Sequence, residues 1–460
     1  MIHNYTLNGY HITVDAASCA VHVTDQQGMD AIALYEDGDR EKATRLLQEK
    51  YPQVPLADIT ACLNDIDTLR AQGKLYAPDV YQAALPQRAV QPVIKALCLH
   101  VAHVCNLACS YCFAGQGKYA GAQALMPYEV GRDALDFLVR HSGTRRNLEV
   151  DFFGGEPLMN WDVVKRLVAY GRELEKQHNK VFRFTLTTNG VLLDDEVMDF
   201  CNREMHNVVL SLDGRKEVHD RFRVDHQGRG SYEAIVPKFQ EFVRRRGHQS
   251  YYMRGTFTHY NLDFLNDILH MADLGFTQLS MEPVVTSPDN PSAITQDDLP
   301  QVFEQYERLA QVMLERHREG RPFDFYHFLI DLGHGPCIHK RIIGCGSGTE
   351  YLAVTPWGDL YPCHQFVGEQ QYRLGSLSEG ITNTTLQQEF GRCNVFSHTE
   401  CQQCWAKYFC SGGCAANAAH ATGSVTGVYD IGCQIFKKRM ECAIMLQAAL
   451  DEYKENAGRI

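Results

Sequence analysis

The sequence predicts an α/β fold organised around a partial (β/α)6 barrel, and three observations predict it. Between residues 96 and 285 apolar strand-like runs alternate with amphipathic helical stretches, an order that favours a parallel sheet with crossover helices. Six such units occur without a clear seventh or eighth, which indicates an open version of the eight-stranded barrel. Polar or glycine-rich residues gather where the strands end, at Cys105, GGEP, TTNG and SLDG. Active sites in barrels of this kind lie at the carboxyl ends of the strands, so these four clusters should converge.

The six strands are ALCLHVAHV, LEVDFFG, FRFTLTTN, NVVLSLDG, YYMRGTFT and TQLSMEPV, with a helical stretch in each interval. Ahead of them, residues 1–90 read as a small separate unit. YTLNGYHITV and CAVHVT alternate as a hairpin does, and three helical stretches follow. The third places Ile59, Cys62, Leu63, Ile66 and Leu69 at helical spacing, with Gly73 where the helix would stop. This order resembles a winged helix-turn-helix. Seven Lys or Arg against twelve Asp or Glu leave the unit at −5, a poor surface for reading DNA; a peptide added as a strand suits it better. After the barrel, 286–298 reads as a linker and a helix runs to about 318. Beyond 336 short strands, glycines and dense cysteine take over, and a closing helix spans about 433–453. The expected division is therefore 1–90, 91–310 and 311–460.

Composition narrows the function. A hydrophobic content of 45% with 22% charged residues is that of an ordinary globular protein. The amino terminus lacks the pattern of a signal peptide, and no run approaches the ~18 apolar residues of a membrane helix, so a cytoplasmic protein is expected. A net charge of −12 weighs against nucleic acid and anionic membrane as partners. Seventeen cysteines in a reducing compartment point to metal ligands, catalytic groups or buried packing rather than disulfides.

Cys105, Cys109 and Cys112 stand in C-x3-C-x2-C spacing at the first strand end. Three thiolates can hold three irons of a 4Fe-4S cube and leave the fourth iron open, whereas a closed structural site takes four protein ligands. Spacing alone also leaves open a zinc site completed by His100 or His103. Gly154 and Gly155 allow close backbone approach and Glu156 can balance positive charge.

The C-x3-C-x2-C loop followed by GGEP at the second strand end closely resembles the radical S-adenosylmethionine (SAM) enzymes. The resemblance implies that SAM chelates the open iron through its methionine end and is cleaved to a 5'-deoxyadenosyl radical. It implies a SAM site at Gly154, Gly155 and Glu156, with Ser211 and Arg223 as further contacts, the arginine being suited to a carboxylate. Tyr111 matches a position that meets adenine through its backbone, and Asn189 and Asp213 would line the same cavity. Packing is the alternative for Tyr111, a surface ion pair for Arg223.

In the last third, Cys345 is followed by Gly358 and Cys363, then by C-x2-C-x5-C-x3-C at Cys401, Cys404, Cys410 and Cys414, and by Cys433. This order resembles the SPASM extension of radical SAM enzymes and implies two further clusters, making three 4Fe-4S clusters in all. The outer one would use Cys401, Cys404, Cys410 and Cys433. The inner one would use Cys345, Cys363 and Cys414, completed by Cys337 or left open to a substrate thiol. Cys19, Cys62, Cys98, Cys201, Cys393 and Cys442 remain as packing residues.

With its amino-terminal unit the whole chain resembles peptide maturases, and most closely those of SCIFF peptides, through CGSGTEYLAVTPWGDLYPCHQF and FAGQGKYAG. The resemblance implies thioether formation on a Cys-rich precursor bound through its leader, with a low-potential electron donor. Two other readings stand beside it. An anaerobic sulfatase-maturating enzyme would need a catalytic acid, for which Glu282 at the sixth strand end is available, though a barrel-lining salt bridge is its alternative. An iron-sulfur regulator using the winged-helix-like unit is the nonenzymatic one.

Overall fold

The computed structural model describes every residue except 84–92, 120, 334–337 and 458–460. The chain opens with three antiparallel strands, β1 (Ile2–Leu7), β2 (Tyr10–Asp15) and β3 (Val21–Thr24), in that spatial order. Asn8 and Gly9 turn β1 into β2 with φ 49 and 85, the two-residue pattern whose twist matches that of the flanking strands. Helices α1 (Gln26–Leu34), α2 (Arg40–Lys50) and α3 (Leu56–Ala71) follow. Asp25 and Asp39 accept from Gly28 N and Lys42 N, capping the first two. Helix α3 buries Ile59, Leu63 and Ile66, and Gly73 turns the chain after it at φ 65. These helices share a small apolar core of their own, whereas Leu7, Ile12 and Val14 of the hairpin join the main core.

The six expected strands form as β4 (Ala96–Ala102), β5 (Asn147–Gly154), β6 (Val181–Thr188), β7 (Asn207–Ser211), β8 (Tyr251–Phe257) and β9 (Gln278–Pro283). All neighbouring pairs are parallel. The connecting helices are α4 (Tyr128–His141), α5 (Trp161–His178), α6 (Asp195–Glu204), α7 (Lys216–Phe222), α8 (Tyr232–Arg246) and α9 (Phe264–Asp273). Strand alternation divides the side chains between the faces. Leu148, Val150 and Phe152 of β5 are fully buried, while Asp151 and Phe153 take the other, inner face.

The sheet does not stop at six strands. Helix α10 (Leu299–Arg318) leads to β10 (Asp324–Phe325), which pairs parallel to β9. On the opposite edge β11 (Tyr351–Val354) pairs parallel to β4, and β12 (Asp359–Tyr361), β13 (Gly375–Ser376) and β14 (Gly380–Ile381) continue antiparallel, giving eleven strands. The carboxyl-terminal extension thus covers the backbone edge that β4 would otherwise leave unpaired. Packing is continuous through residue 310, since one apolar core includes Phe257, Tyr306, Leu352 and Ile444. The closing helix Asp430–Ala457 buries Ile435, Cys442, Ala443, Met445 and Ala449. Among the described residues no helix is long and apolar enough to cross a membrane.

Candidate functional site

The strand ends converge as their composition suggested. Gly155 N donates to Ala102 O at 2.7 Å and Glu156 N to Val104 O at 2.9 Å, so the GGEP turn is laced to the start of the cysteine loop. At Gly154, φ is 129 and an added Cβ would lie 2.2 Å from Ala102 O; at Gly155 it would lie 2.1 Å from Val104 O. Any side chain there would push the two strand ends apart. From the other side Ala108 N donates to Val224 O at 2.7 Å and His226 Nε2 meets Cys105 O at 3.0 Å. The loop carrying Cys105, Cys109 and Cys112 is therefore fixed from two sides.

The three thiols are half-buried. Burial pushes Cys105 up to about 12, with Cys109 and Cys112 adding to the rise. Cys109 rises to about 11 for the same reason, against the pull of Arg223. As free thiols Cys105 and Cys109 are neutral; a bound cation would hold them as thiolates. Among the described residues no three His, Cys, Asp or Glu side chains close on one point as the ligands of a single ion would. Three sulfurs that each take a different corner of an iron-sulfur cube have no such requirement. His100 Nδ1 and His103 Nε2 are paired with each other at 3.1 Å, and burial holds both imidazoles neutral. Among the described residues Asn106 Nδ2 is buried without a partner beside Cys105, a donor suited to cluster sulfur. The donor set fits an iron-sulfur cluster.

The residues expected to meet SAM gather around this loop. Asp213 is fully buried at the end of β7. It accepts from Arg223 Nε at 2.9 Å, from the Tyr111 hydroxyl and from Thr256 N at 3.0 Å. Burial opposes charge on Arg223, but Asp213 beside it holds the guanidinium charged. Its terminal nitrogens carry no hydrogen bond among the described residues, so they remain for a carboxylate. This is a buried pair, not the surface ion pair that the sequence left open. The Tyr111 ring packs on Phe222 at 5.3 Å between centroids. Asn189 Nδ2 donates to Asn106 Oδ1 at 2.8 Å and approaches Cys105 Sγ at 3.7 Å. Ser211 lies at the last ladder position of β7, beside Arg254.

Glu156 is an interior brace. Its carboxylate accepts from Thr188 Oγ1 at 2.8 Å, Leu158 N at 3.1 Å and Asn189 N at 2.8 Å, tying the β5 end to the β6 end. Burial raises it to about 7 against these donors. Glu282 takes the salt-bridge role: Arg439 of the closing helix reaches Oε2 at 3.2 Å and His327 reaches Oε1 at 3.4 Å. Burial alone would raise Glu282, yet Arg439, His327 and Arg254 hold it down to about 2, a poor proton donor.

The carboxyl-terminal thiols separate into two groups. Burial raises Cys410 to about 12, with Cys433, Cys401 and Cys404 adding to the rise; Cys401 goes to about 11 with Cys433 and Cys404. Burial likewise raises Cys363 to about 12, and there it is Cys414 and Cys345 that contribute. Cys401, Cys404, Cys410 and Cys433 thus lie near one another, and so do Cys345, Cys363 and Cys414. Cys401, Cys404, Cys410, Cys414 and Cys433 line a cavity of about 440 Å³ that also reaches Arg254 and Glu282 on the sheet. Cys337 lies outside the described residues. Of the remaining cysteines, Cys98, Cys201 and Cys442 are buried. Cys393 instead shares a recess with Cys345, a proximity that no spacing in the sequence signals.

Residues 99–272 match the radical SAM superfamily model. Over 358 residues the chain is 23% identical to the cysteine-type anaerobic sulfatase-maturating enzyme of Clostridium novyi (strain NT), covering 73% of this chain and 91% of that one. Among solved structures, native anSMEcpe with bound AdoMet and Kp18Cys peptide matches with TM-score 0.63 at 20% identity, covering 78% of this chain and 99% of the other. SuiB of Streptococcus suis, bound to S-adenosylmethionine, matches with TM-score 0.54 at 14% identity, covering 94% and 98%. These two likenesses concern the fold.

Proposed function

From a radical SAM superfamily domain in a chain homologous to anaerobic sulfatase-maturating enzymes, we propose a peptide maturase that forms thioether links from cysteine sulfur to carbon in a Cys-rich precursor. The observation that carries this reading is the grouping of thiols: a set of three on the barrel, and a cavity reaching the same sheet that is lined by Cys401, Cys404, Cys410 and Cys433 together with Cys414, which neighbours Cys363. Cys105, Cys109 and Cys112 would hold a 4Fe-4S cluster, which would supply a low-potential electron for SAM cleavage, and the thiols of the other two sets would hold clusters that would supply an electron acceptor for sulfur-to-carbon bond formation.

The chain's own residues supply position. Gly154 and Gly155 admit the methionine end of SAM, Arg223 on its Asp213 anchor takes the carboxylate, and Tyr111 and Asn189 hold the loop in register. The inner face behind them excludes bulk water from a reactive radical. The amino-terminal sheet offers β3 as an edge for a leader strand. A low-potential electron donor completes the set of partners.

Homology to sulfatase-maturating enzymes favours a second reading, oxidation of a Cys or Ser to formylglycine. Glu282, anionic and bound to Arg439, does not serve as its acid. Tandem mass spectrometry separates the two readings. Anaerobic, reduced enzyme with SAM and a Cys-rich peptide encoded beside its gene should yield a product lighter by two hydrogens per link and silent to aldehyde reagents. An aldehyde-reactive product from a sulfatase-type peptide, with none from the Cys-rich peptide, would select the alternative.

A further inference from the structure

The chain after Cys112, FAGQGKY, folds in a way that its composition does not require. Gly115, Gln116, Gly117 and Tyr119 have φ of 54, 61, 90 and 47. Two of them are not glycine, and a bulky aromatic stays in the left-handed region only where its surroundings hold it there. Here they do. Gly115 N donates to Cys112 O at 3.1 Å, and Gly117 N and Tyr119 N both donate to Ala114 O at 3.0 Å, so the turn grows directly out of the cysteine loop. Gly117 is pressed on the two strand ends, where an added Cβ would lie 3.0 Å from the Val104 carbonyl carbon and 3.1 Å from Gly155 Cα. From the carboxyl-terminal extension Gly368, at φ 96, makes room for the Tyr119 carbonyl, whose oxygen would lie 1.9 Å from a Cβ there.

This backbone turns the Tyr119 side chain inward. Only 5% of the residue is exposed, and its ring packs on His100 at 4.6 Å and His103 at 4.7 Å between centroids. Its hydroxyl donates to Gly154 O at 2.9 Å. Gly154 has no side chain to fix its peptide group, and its φ of 129 lies where glycine alone moves freely. A carbonyl oxygen accepts two hydrogen bonds, so the phenol takes one and aims the other. We propose that Tyr119 is a positioning residue for SAM, its hydroxyl orienting the Gly154 carbonyl as an acceptor for the amino group of the methionine end. This rests on the reading above that Gly154 and Gly155 admit that end. An ammonium brings donors and no acceptor, so a backbone cradle serves it through an aimed oxygen. Packing on the two imidazoles needs the Tyr119 ring and not its hydroxyl, which separates this role from a structural one.

The test uses full-length enzyme loaded with iron, without reductant, and two probes: SAM, and its desamino analogue, in which hydrogen replaces the amino group. Equilibrium dialysis should show wild type preferring SAM. Tyr119→Phe keeps the ring and removes the hydroxyl. It should bind SAM roughly fivefold more weakly or worse, as for the loss of one buried hydrogen bond, and bind the desamino analogue as wild type does. Its iron content should equal that of wild type, which shows the cysteine loop intact. A Tyr119→Phe variant that binds SAM as tightly as wild type, or that loses affinity for SAM and the analogue to the same extent, overturns the proposal. A wild type that binds SAM no better than the analogue overturns it as well. A wild type that binds neither probe would instead bring down the reading of Gly154 and Gly155 as the SAM site, and the role of Tyr119 with it.

Discussion

At the scale of single residues, the site depends on side chains whose partners are remote in sequence. Asp213 anchors Arg223, Tyr111 and the Thr256 amide at once. Asp213→Ala should strand a buried guanidinium and destabilise the fold by about 3 kcal/mol, measured by chemical denaturation. The same variant should weaken SAM binding, while Ser211→Ala leaves stability nearly unchanged. Gly155→Ala tests the backbone cradle, because its methyl would sit 2.1 Å from Val104 O. It should lose SAM cleavage and the iron of the first site while the carboxyl-terminal iron stays; wild-type activity in that variant would refute the close approach. Cys105, Cys109 and Cys112 stand out in the sequence because their spacing points to the proposed chemistry. Glu156 was only half legible. GGEP marked the position, but no pattern shows that its carboxylate is already taken by Thr188 and two backbone amides from β6 and its own turn.

At the scale of elements, the closing helix does more than its amphipathic pattern discloses. Arg439 enters the sheet to meet Glu282, and Glu441, within a turn of it, accepts from His3 at 3.0 Å. His3 also stacks on Trp405 at 4.1 Å between Cys404 and Cys410. One helix therefore joins the amino-terminal hairpin, the barrel mouth and the outer thiols. His3→Ala should raise hydrogen exchange in β1 and β2 without altering iron content; unchanged exchange would show that the hairpin is held by its apolar contacts alone. Glu282 gives this junction a pH signature. Its folded value of about 2 lies below the ordinary 4.5, so its stabilising contribution is complete above about 4.5 and fades as the pH falls towards 2. Acid unfolding of Glu282→Gln, followed by circular dichroism, should lack that component. The helices and β4–β9 could be read from periodicity because each buries one face locally. The pairing of β11 with β4 could not, since a strand of four residues carries little pattern and its partner lies about 250 residues away.

At the scale of the whole molecule, one continuous sheet and core carries the three sets of thiols over which the proposed chemistry would be distributed. The barrel set is built by strand ends, so its location followed from the alternation of strands and helices. The thiols between 345 and 433 come from segments that only the fold brings together, and cysteine order rather than periodicity is what pointed to them. The account stands on the division of labour between these sets. The direct measurement is Cys109→Ala, assayed for deoxyadenosine formation and for protein-bound iron after anaerobic reconstitution. The account predicts no deoxyadenosine and loss of about a third of the iron, with the carboxyl-terminal sites still loaded. Deoxyadenosine formation at the wild-type rate, or loss of nearly all iron, would contradict it.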